Sequence, residues 1–306
     1  MIYTLTPNPA IDMNVTADSV APNRVSRTRD AVYTPNGKGL NVSFTLRHFG
    51  VDAPILGFFG GFSGRFIVDG AREMGCEVHP VEVDGITRIN TFVSCGDDEY
   101  KFPNAGCPVS REHQEEMLRL VDTLPDLECL VVSGSLSPQI EPTYYDELLE
   151  HVHARGGEVV LDMSHRHLAQ LVEGAPLLIK PNDEEVAAIF GVDIHDEADI
   201  VRALHLIHER GCKNILLTLG AAGAYFYDGG HVWRANAAKV RMYSTACAGD
   251  ATLASFLSLW FFDRDDVPAA LTRAMATGAN VAMSAGLGDF AQVAELERQI
   301  EVEVVE

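Results

Sequence analysis

The chain has 306 residues, 47% hydrophobic and 22% charged, the make-up of a globular protein with room for one sizeable α/β core. A net charge of −21 argues against nucleic acid or an anionic membrane as partner, and no run approaches the roughly 18 uninterrupted apolar residues of a spanning helix. Six cysteines (Cys76, Cys95, Cys107, Cys129, Cys212, Cys247) form no CxxC pair and no metal-ligand spacing with histidine, which leads us to expect reduced thiols in a cytoplasmic protein.

The first six residues, Met1 to Thr6, follow a strand pattern with no basic leader, which argues against a secretory signal. Pro7 and Pro9 stop that strand and present Asn8 and Asp12 at its end. From Met13 to Thr34 the pattern is short, alternating and polar, more like a small sheet than a core layer. The glycine turn Pro35-Asn36-Gly37-Lys38-Gly39-Leu40-Asn41-Val42 then opens a helix through Phe49. A buried strand follows at Pro54 to Phe59, and a helix at Ser63 to Met74. Thr87 to Ser94 and Glu99 to Phe102 read as a hairpin joined by Cys95-Gly96-Asp97-Asp98.

After that hairpin, strands at Leu130–Ser133, Val159–Leu161, Leu177–Ile179 and Ile215–Leu219 alternate with helical stretches, including Ile200–Glu209. This alternation predicts a parallel sheet covered on both faces. Tyr225–Tyr227 and His231–Trp233 form a second hairpin pattern, and the last third is helical over Thr252–Phe262, Ala269–Ser284 and Gln292–Ile300. There is no repeat and no linker. The expectation is one unit over residues 1–306, with a polar β lid built from about 13–35 and 86–104.

The chemistry concentrates at Ser244-Thr245-Ala246-Cys247-Ala248-Gly249-Asp250. Leu253, Phe256, Leu257 and Trp260 follow at i, i+3, i+4 and i+7, so the helix that starts here buries one face. The first amides of a helix have no intrahelical partner and carry the positive dipole end, which suits an anion. A carboxylate at the same place repels phosphate but can take a proton from a hydroxyl. Cradle and base together are the equipment of phosphoryl transfer. The plain alternative is an ordinary helix start with an early-turn acid.

Seven stretches in order now carry a resemblance: Thr6 to Asp12, Gly37 to Val42, Thr87-Arg88-Ile89-Asn90, Val132 to Leu136, Lys180-Pro181-Asn182-Asp183-Glu184-Glu185, Thr218 to Gly223, and Ala248-Gly249-Asp250. The chain resembles the ribokinase-like, PfkB-type carbohydrate kinases, in the branch of 1-phosphofructokinases and tagatose-6-phosphate kinases. That resemblance implies a three-layer α/β/α core with a mostly parallel sheet and a small β-sheet lid. It also implies an ATP- and Mg²⁺-dependent kinase acting on a phosphorylated hexose.

In that reading Asp250 is the catalytic base, and the amides of Cys247, Ala248 and Gly249 form the anion hole. Asp12, Gly37, Asn41 and Asn90 meet the sugar, while Arg27, Lys38, Arg88 and Ser135 hold its phosphate. Arg88 points to the phosphosugar branch, since a guanidinium fork suits a phosphate dianion. Lys180, Asn182, Thr218, Gly220, Gly223 and Asn280 fall on the nucleotide side, with Glu185 organising Mg²⁺ through water. Without the resemblance, Asp12 reads equally as a turn residue, Lys38 as a solvated loop lysine and Arg88 as one half of a cross-strand ion pair. Glu185 reads as a capping-box glutamate. Only five lysines exist, and two of them, Lys38 and Lys180, lie in these motifs.

Two positions depart from the family pattern. Cys247 stands where the anion loop has a glycine, so any positive φ there would be strained. A thiol at a helix N-terminus tends towards a lowered pKa, which gives the expectation of a reactive Cys247; a tolerated packing change is the alternative. Asn36 replaces another glycine, a change expected to be harmless because asparagine tolerates left-handed backbone. Pro103 to Gly106 and Ser137 to Gln139 also differ, near the sugar side. The expected reaction is fructose 1-phosphate to fructose 1,6-bisphosphate. The alternatives are a tagatose-6-phosphate kinase, a 6-phosphofructokinase, or a non-catalytic phosphosugar sensor. A polar lid whose sheet face has no core partner leads us to expect a homodimer through the lid.

Overall fold

The structure is a computed structural model that describes residues 1–96 and 98–306; Asp97, in the expected hairpin turn, lies outside them. The strands are β1 (Ile2–Thr6), β2 (Ala10–Ala17), β3 (Thr28–Asn36), β4 (Ile55–Gly60), β5 (Val78–Val83), β6 (Arg88–Cys95) and β7 (Asp98–Phe102). They continue as β8 (Cys129–Ser133), β9 (Glu158–Asp162), β10 (Leu178–Ile179), β11 (Asn214–Thr218), β12 (Ala224–Tyr227), β13 (Val232–Ala235) and β14 (Val302–Val304). The helices are α1 (Lys38–His48), α2 (Gly61–Glu73), α3 (Arg111–Thr123), α4 (Tyr144–Ala154) and α5 (Leu168–Leu171). After them come α6 (Asp183–Glu185), α7 (Glu197–Glu209), α8 (Ala248–Trp260), α9 (Val267–Ala282) and α10 (Val293–Leu296).

The main sheet runs β14-β13-β12-β11-β10-β9-β8-β1-β4-β5. Pairing is parallel from β5 to β11 and antiparallel from β11 to β14. Alternation along each strand feeds two cores. Leu130 and Val132 of β8 pack with Leu118 of α3 and Leu148 of α4, whereas Cys129 and Val131 pack with Leu46 of α1 and Phe256 of α8. The result is the expected α/β/α sandwich. A separate sheet, ordered β3-β2-β6-β7, holds the two polar insertions, with β2 parallel to β6.

Two strands were not foreseen. β5 contains Pro80, which only an edge strand tolerates, and β5 is indeed the last strand at one edge. At the opposite edge sits β14, whose three residues are too few to show a period. The helix expected over Gln292–Ile300 shrinks to α10 and one 3₁₀ turn, because the chain must leave it to form β14. The small sheet is also larger than 13–35 and 86–104 suggested, since β2 starts at Ala10 and β3 reaches Asn36.

Packing behind α8 fixes its position. Leu253, Phe256, Leu257 and Trp260 are all buried, and the Phe256 and Trp260 rings stack at 5.3 Å against Phe226 of β12. Burying such side chains is worth about 1.5–3 kcal/mol each, so the first turn of α8 is held on a rigid rod.

Helix α1 is drawn equally close to β1. A Cβ on Gly39 would lie 2.5 Å from Thr6 Oγ1 and 2.8 Å from the Leu5 carbonyl oxygen. Gly39→Ala is therefore expected to lower unfolding stability by about 1–3 kcal/mol, read as a shifted urea midpoint at constant slope.

Candidate active site

The site lies at the C-terminal edge of the parallel strands, where α1, α6 and α8 begin. Cys247 caps α8 in a left-handed conformation, φ 63°, and the acid three residues later is Asp250. Its side chain is buried, and Oδ2 accepts a 2.9 Å bond from Asn41 Nδ2 on α1. Oδ1 has no protein donor among the described residues. Burial, and then the charge of Asp162, push the Asp250 carboxyl from 3.8 up to about 6, against the opposing pull of Lys38, Asn41 and Lys180. That is the range of a carboxylate fit to act as a base near neutral pH.

Asp162, at the end of β9, is a residue the sequence reading missed. It is 1% exposed and its Oδ1 lies 3.3 Å from both Lys38 Nζ and Lys180 Nζ. Burial raises its pKa, but Lys180 and Lys38 outweigh that and hold the carboxyl below its ordinary value. Lys38 is correspondingly raised, with Asp162 as the main cause. The buried acid thus gathers two cations from distant motifs. Lys180 is carried right to the cradle, since a Cβ on Gly249 would sit 3.4 Å from its Nζ. The one available signal was an acid closing the apolar run Val159–Leu161 at a strand end.

Two cavities meet at Lys38. One, of about 370 Å³, is lined by Asp12, Asn36, Lys38, Asn41, Lys180, Asn182, Glu185, Thr218, Thr245, Ala246, Cys247, Gly249 and Asp250. The other, of about 340 Å³, is lined by Thr6, Asn8, Lys38, Arg88, Gly134, Ser135, Leu136, Tyr145, Met163, Ser164 and His165. Three buried polar atoms on the second cavity's lining residues, Thr6 Oγ1, Arg88 Nε and the Tyr145 hydroxyl, lack a partner among the described residues. Unmet polar groups around an opening mark a place that a ligand completes. Arg88 is braced for that role by bonds from its fork to the carbonyls of Asn8 (2.8 Å) and Asn104 (3.1 Å).

Asp12 and Asn90 face each other across the β2–β6 pairing. Asp12 Oδ1 accepts from Asn90 Nδ2 at 2.8 Å and Oδ2 from Asn36 Nδ2 at 2.6 Å. Burial raises the Asp12 pKa, against the opposing pull of Asn90, Arg88 and Asn36.

Several expectations need correcting. The expected lowering of the Cys247 thiol pKa does not occur: burial, then Asp250 and Asp12, push it up to about 12. Two nearby carboxylates and a dry setting outweigh the helix end, so Cys247 is a neutral side chain. Asn36 is not in left-handed backbone; its side chain, not its φ, is what matters. Arg27 is exposed in the segment before β3 and lines neither cavity. Gly220, Gly223 and Asn280 also lie outside both. Gly223 is needed where the chain passes Ala235, and the Asn280 side-chain Oδ1 accepts the Gln292 N–H at 2.9 Å.

Glu185 takes the capping-box arrangement. Glu185 and Asn182 form a reciprocal capping box at the start of α6, and Ser164 donates to the other carboxylate oxygen, while both residues line the larger cavity. Among the described residues no three His, Cys, Asp or Glu side chains converge into a metal cage. One anchored carboxylate lining this cavity still fits Mg²⁺, which is bound through one or two carboxylates, water and substrate phosphates.

A buried carboxylate of raised pKa at a helix start, with two lysines gathered beside it, fits a phosphotransferase of the doubly covered α/β class, and of the expected cradle amides that of Ala248 is taken by the Thr245 carbonyl at 3.4 Å. The chain belongs to the pfkB family of carbohydrate kinases, whose model matches residues 8–293. It is 45% identical over 302 residues to the D-tagatose-1-phosphate kinase of Klebsiella oxytoca, with 99% of each chain covered. It is 34% identical to the 1-phosphofructokinase of Haloferax volcanii over 100% of this chain and 99% of the other. Phosphofructokinase-2 of Escherichia coli in complex with potassium superposes with a TM-score of 0.91 over 97% of this chain and 98% of that one. At 23% identity this likeness concerns the fold. The protein is thus a kinase using ATP, and no helix among the described residues is long and apolar enough to cross a membrane.

Proposed function

We propose that this kinase transfers the γ-phosphoryl group of ATP to the C6 hydroxyl of a ketohexose 1-phosphate, with D-tagatose 1-phosphate as substrate and the 1,6-bisphosphate as product. The observation that carries the reading is the pair of cavities sharing Lys38, one lined by Arg88 and the other by Asp250. A substrate with a phosphate at one end and a primary hydroxyl at the other spans that arrangement. The choice of tagatose over fructose follows the 45% identical relative, and moves the preference from the fructose 1-phosphate expected above. Fructose 1-phosphate, its C4 epimer, is the second reading, favoured by the 34% identical relative.

In the mechanism, Asp250 takes the proton from the attacking hydroxyl while the first amides of α8 and the Lys180 ammonium receive the negative charge. Arg88, Lys38 and Ser135 hold the existing phosphate, and Asp12 with Asn41 and Asn90 orient the sugar. Asn182 and Glu185 would hold Mg²⁺ bound with the nucleotide, which supplies charge neutralisation on the phosphates. The small sheet acts as a lid that excludes water from the transfer.

A coupled ADP-release assay over a panel of phosphosugars tests the reading. The expected result is the highest kcat/KM with D-tagatose 1-phosphate; a preference for a 6-phosphate or for an unphosphorylated sugar overturns it.

The lid also carries the association expected above. Val32 and Tyr33 on β3 and Phe102 on β7 are about half exposed. Pairing with a second lid would cover Tyr33 and Phe102, which share one face of the sheet, and sedimentation equilibrium at micromolar protein is expected to give a dimer mass.

A further inference from the structure

Asp12 and Asp250, which both line the larger cavity, are joined by two carboxamides in series, Asn36 and Asn41. Asn36 donates to Asp12 Oδ2 at 2.6 Å, and its Oδ1 accepts from Asn41 Nδ2 at 3.2 Å; the same Asn41 amide reaches Asp250 Oδ2 at 2.9 Å. The Gly37 N–H bonds Asn36 Oδ1 at 2.5 Å, which locks the amide in this orientation. Cys247 closes the wall behind it, with Sγ at 3.3 Å from Asn41 Nδ2 and 4.0 Å from Asn36 Nδ2. The thiol is held there although its backbone occupies a left-handed conformation that its Cβ disfavours, a strain that persists only where the surroundings impose it.

We propose that Asn36 is the positioning residue that sets which ketohexose epimer the enzyme accepts, by holding Asp12 at a fixed angle to the base Asp250. With Asn90 on Oδ1 and Asn36 on Oδ2, the Asp12 carboxylate cannot turn, and its free lone pairs point in set directions. A sugar whose ring hydroxyl lies on the wrong side leaves one of the half-buried Asp12 lone pairs unmet, and a site built to bond a hydroxyl discriminates for that reason. Because Asn36 also touches the Asn41–Asp250 pair, a correctly bound ring and a correctly aimed base are the same geometric event. The Cys247 side chain keeps the amide from swinging into space that a glycine would leave open. The inference rests on the ketohexose 1-phosphate reading and deepens it.

The test is steady-state kinetics of the parent enzyme, Asn36→Gly, Asn90→Ala, Cys247→Ala and the Asn36→Gly/Asn90→Ala pair. Each is measured with D-tagatose 1-phosphate and D-fructose 1-phosphate at saturating ATP. In Asn36→Gly the ratio of the two kcat/KM values is expected to fall about tenfold or more towards unity, with the KM for ATP unchanged. The double variant should lose little beyond the larger single effect, since both side chains act through one carboxylate. Asn36→Ser, too short to reach Asp12, serves if the glycine variant does not accumulate as folded protein. An unchanged epimer ratio in the Asn36 variants overturns the inference and leaves the substrate reading intact. A parent enzyme that uses neither sugar phosphate removes the substrate reading itself, and this inference with it.

Discussion

Asp250→Asn is expected to lower kcat by about 10³-fold or more while sugar-phosphate binding stays near that of the parent. The carboxamide keeps the size of the side chain and its contact with Asn41, and the amides of α8 and the two lysines are untouched. Only the proton acceptor is gone. Single-turnover kinetics with isothermal titration of the sugar phosphate separate the two quantities; near-normal turnover would refute the assignment. The pH profile carries the same information. The base must be ionised to work, and its pKa is raised to about 6, so kcat/KM should fall with unit slope below about pH 6.

The stability consequence has the opposite sense. A carboxyl whose pKa rises from 3.8 unfolded to about 6 folded contributes stability below pH 3.8 and loses that contribution as pH climbs through 6. At pH 7.5 the buried carboxylate is thus a strain on the native state. Asp250→Asn should melt no lower than the parent there, a gain in stability beside a loss of rate.

Arg88→Met is expected to raise KM for the sugar phosphate by about 100-fold, with a smaller change in kcat. Hydrogen bonds to charged groups are worth about 1.5–3 kcal/mol, and the fork can offer more than one to a phosphate. Part of the loss is architectural, because the same guanidinium ties Asn8 to Asn104 across the mouth of the smaller cavity. Arg88→Lys restores the charge without the fork and should recover only a fraction. The discriminating control is the unphosphorylated ketohexose, whose weak turnover should change little in either variant. An equal loss on both substrates would place Arg88 in the scaffold and not in phosphate recognition.

Much of this protein could be read from local pattern. The buried stripe of α8 preceded by small residues and an acid, the glycine turn before α1, and the alternation of strand and helix from Leu130 onward all reflect interactions among residues close in the chain. Asp250 was found that way because a helix start has a sequence signature, whereas Asp12 and Arg88 were singled out for the site only by the family resemblance.

Other features depended on distance in space. Asp162 has no motif, and its importance appears only when β9 brings it within 3.3 Å of lysines from α1 and from the end of β10. Asn36 looked like a tolerated replacement until β3 set its amide against Asp12. The Cys247 thiol went the other way from a helix-end argument because Asp12 and Asp250 share its dry pocket. Arg27 kept its place in the sequence but not in the site. Chain order and hydrophobic period therefore determined the layers and placed Asp250 at the start of a buried helix, whereas the electrostatics of the site were decided by tertiary contacts. Burial and charge proximity are sums over neighbours as distant in the chain as Asn41 and Asp250, 209 positions apart, and no local pattern encodes them.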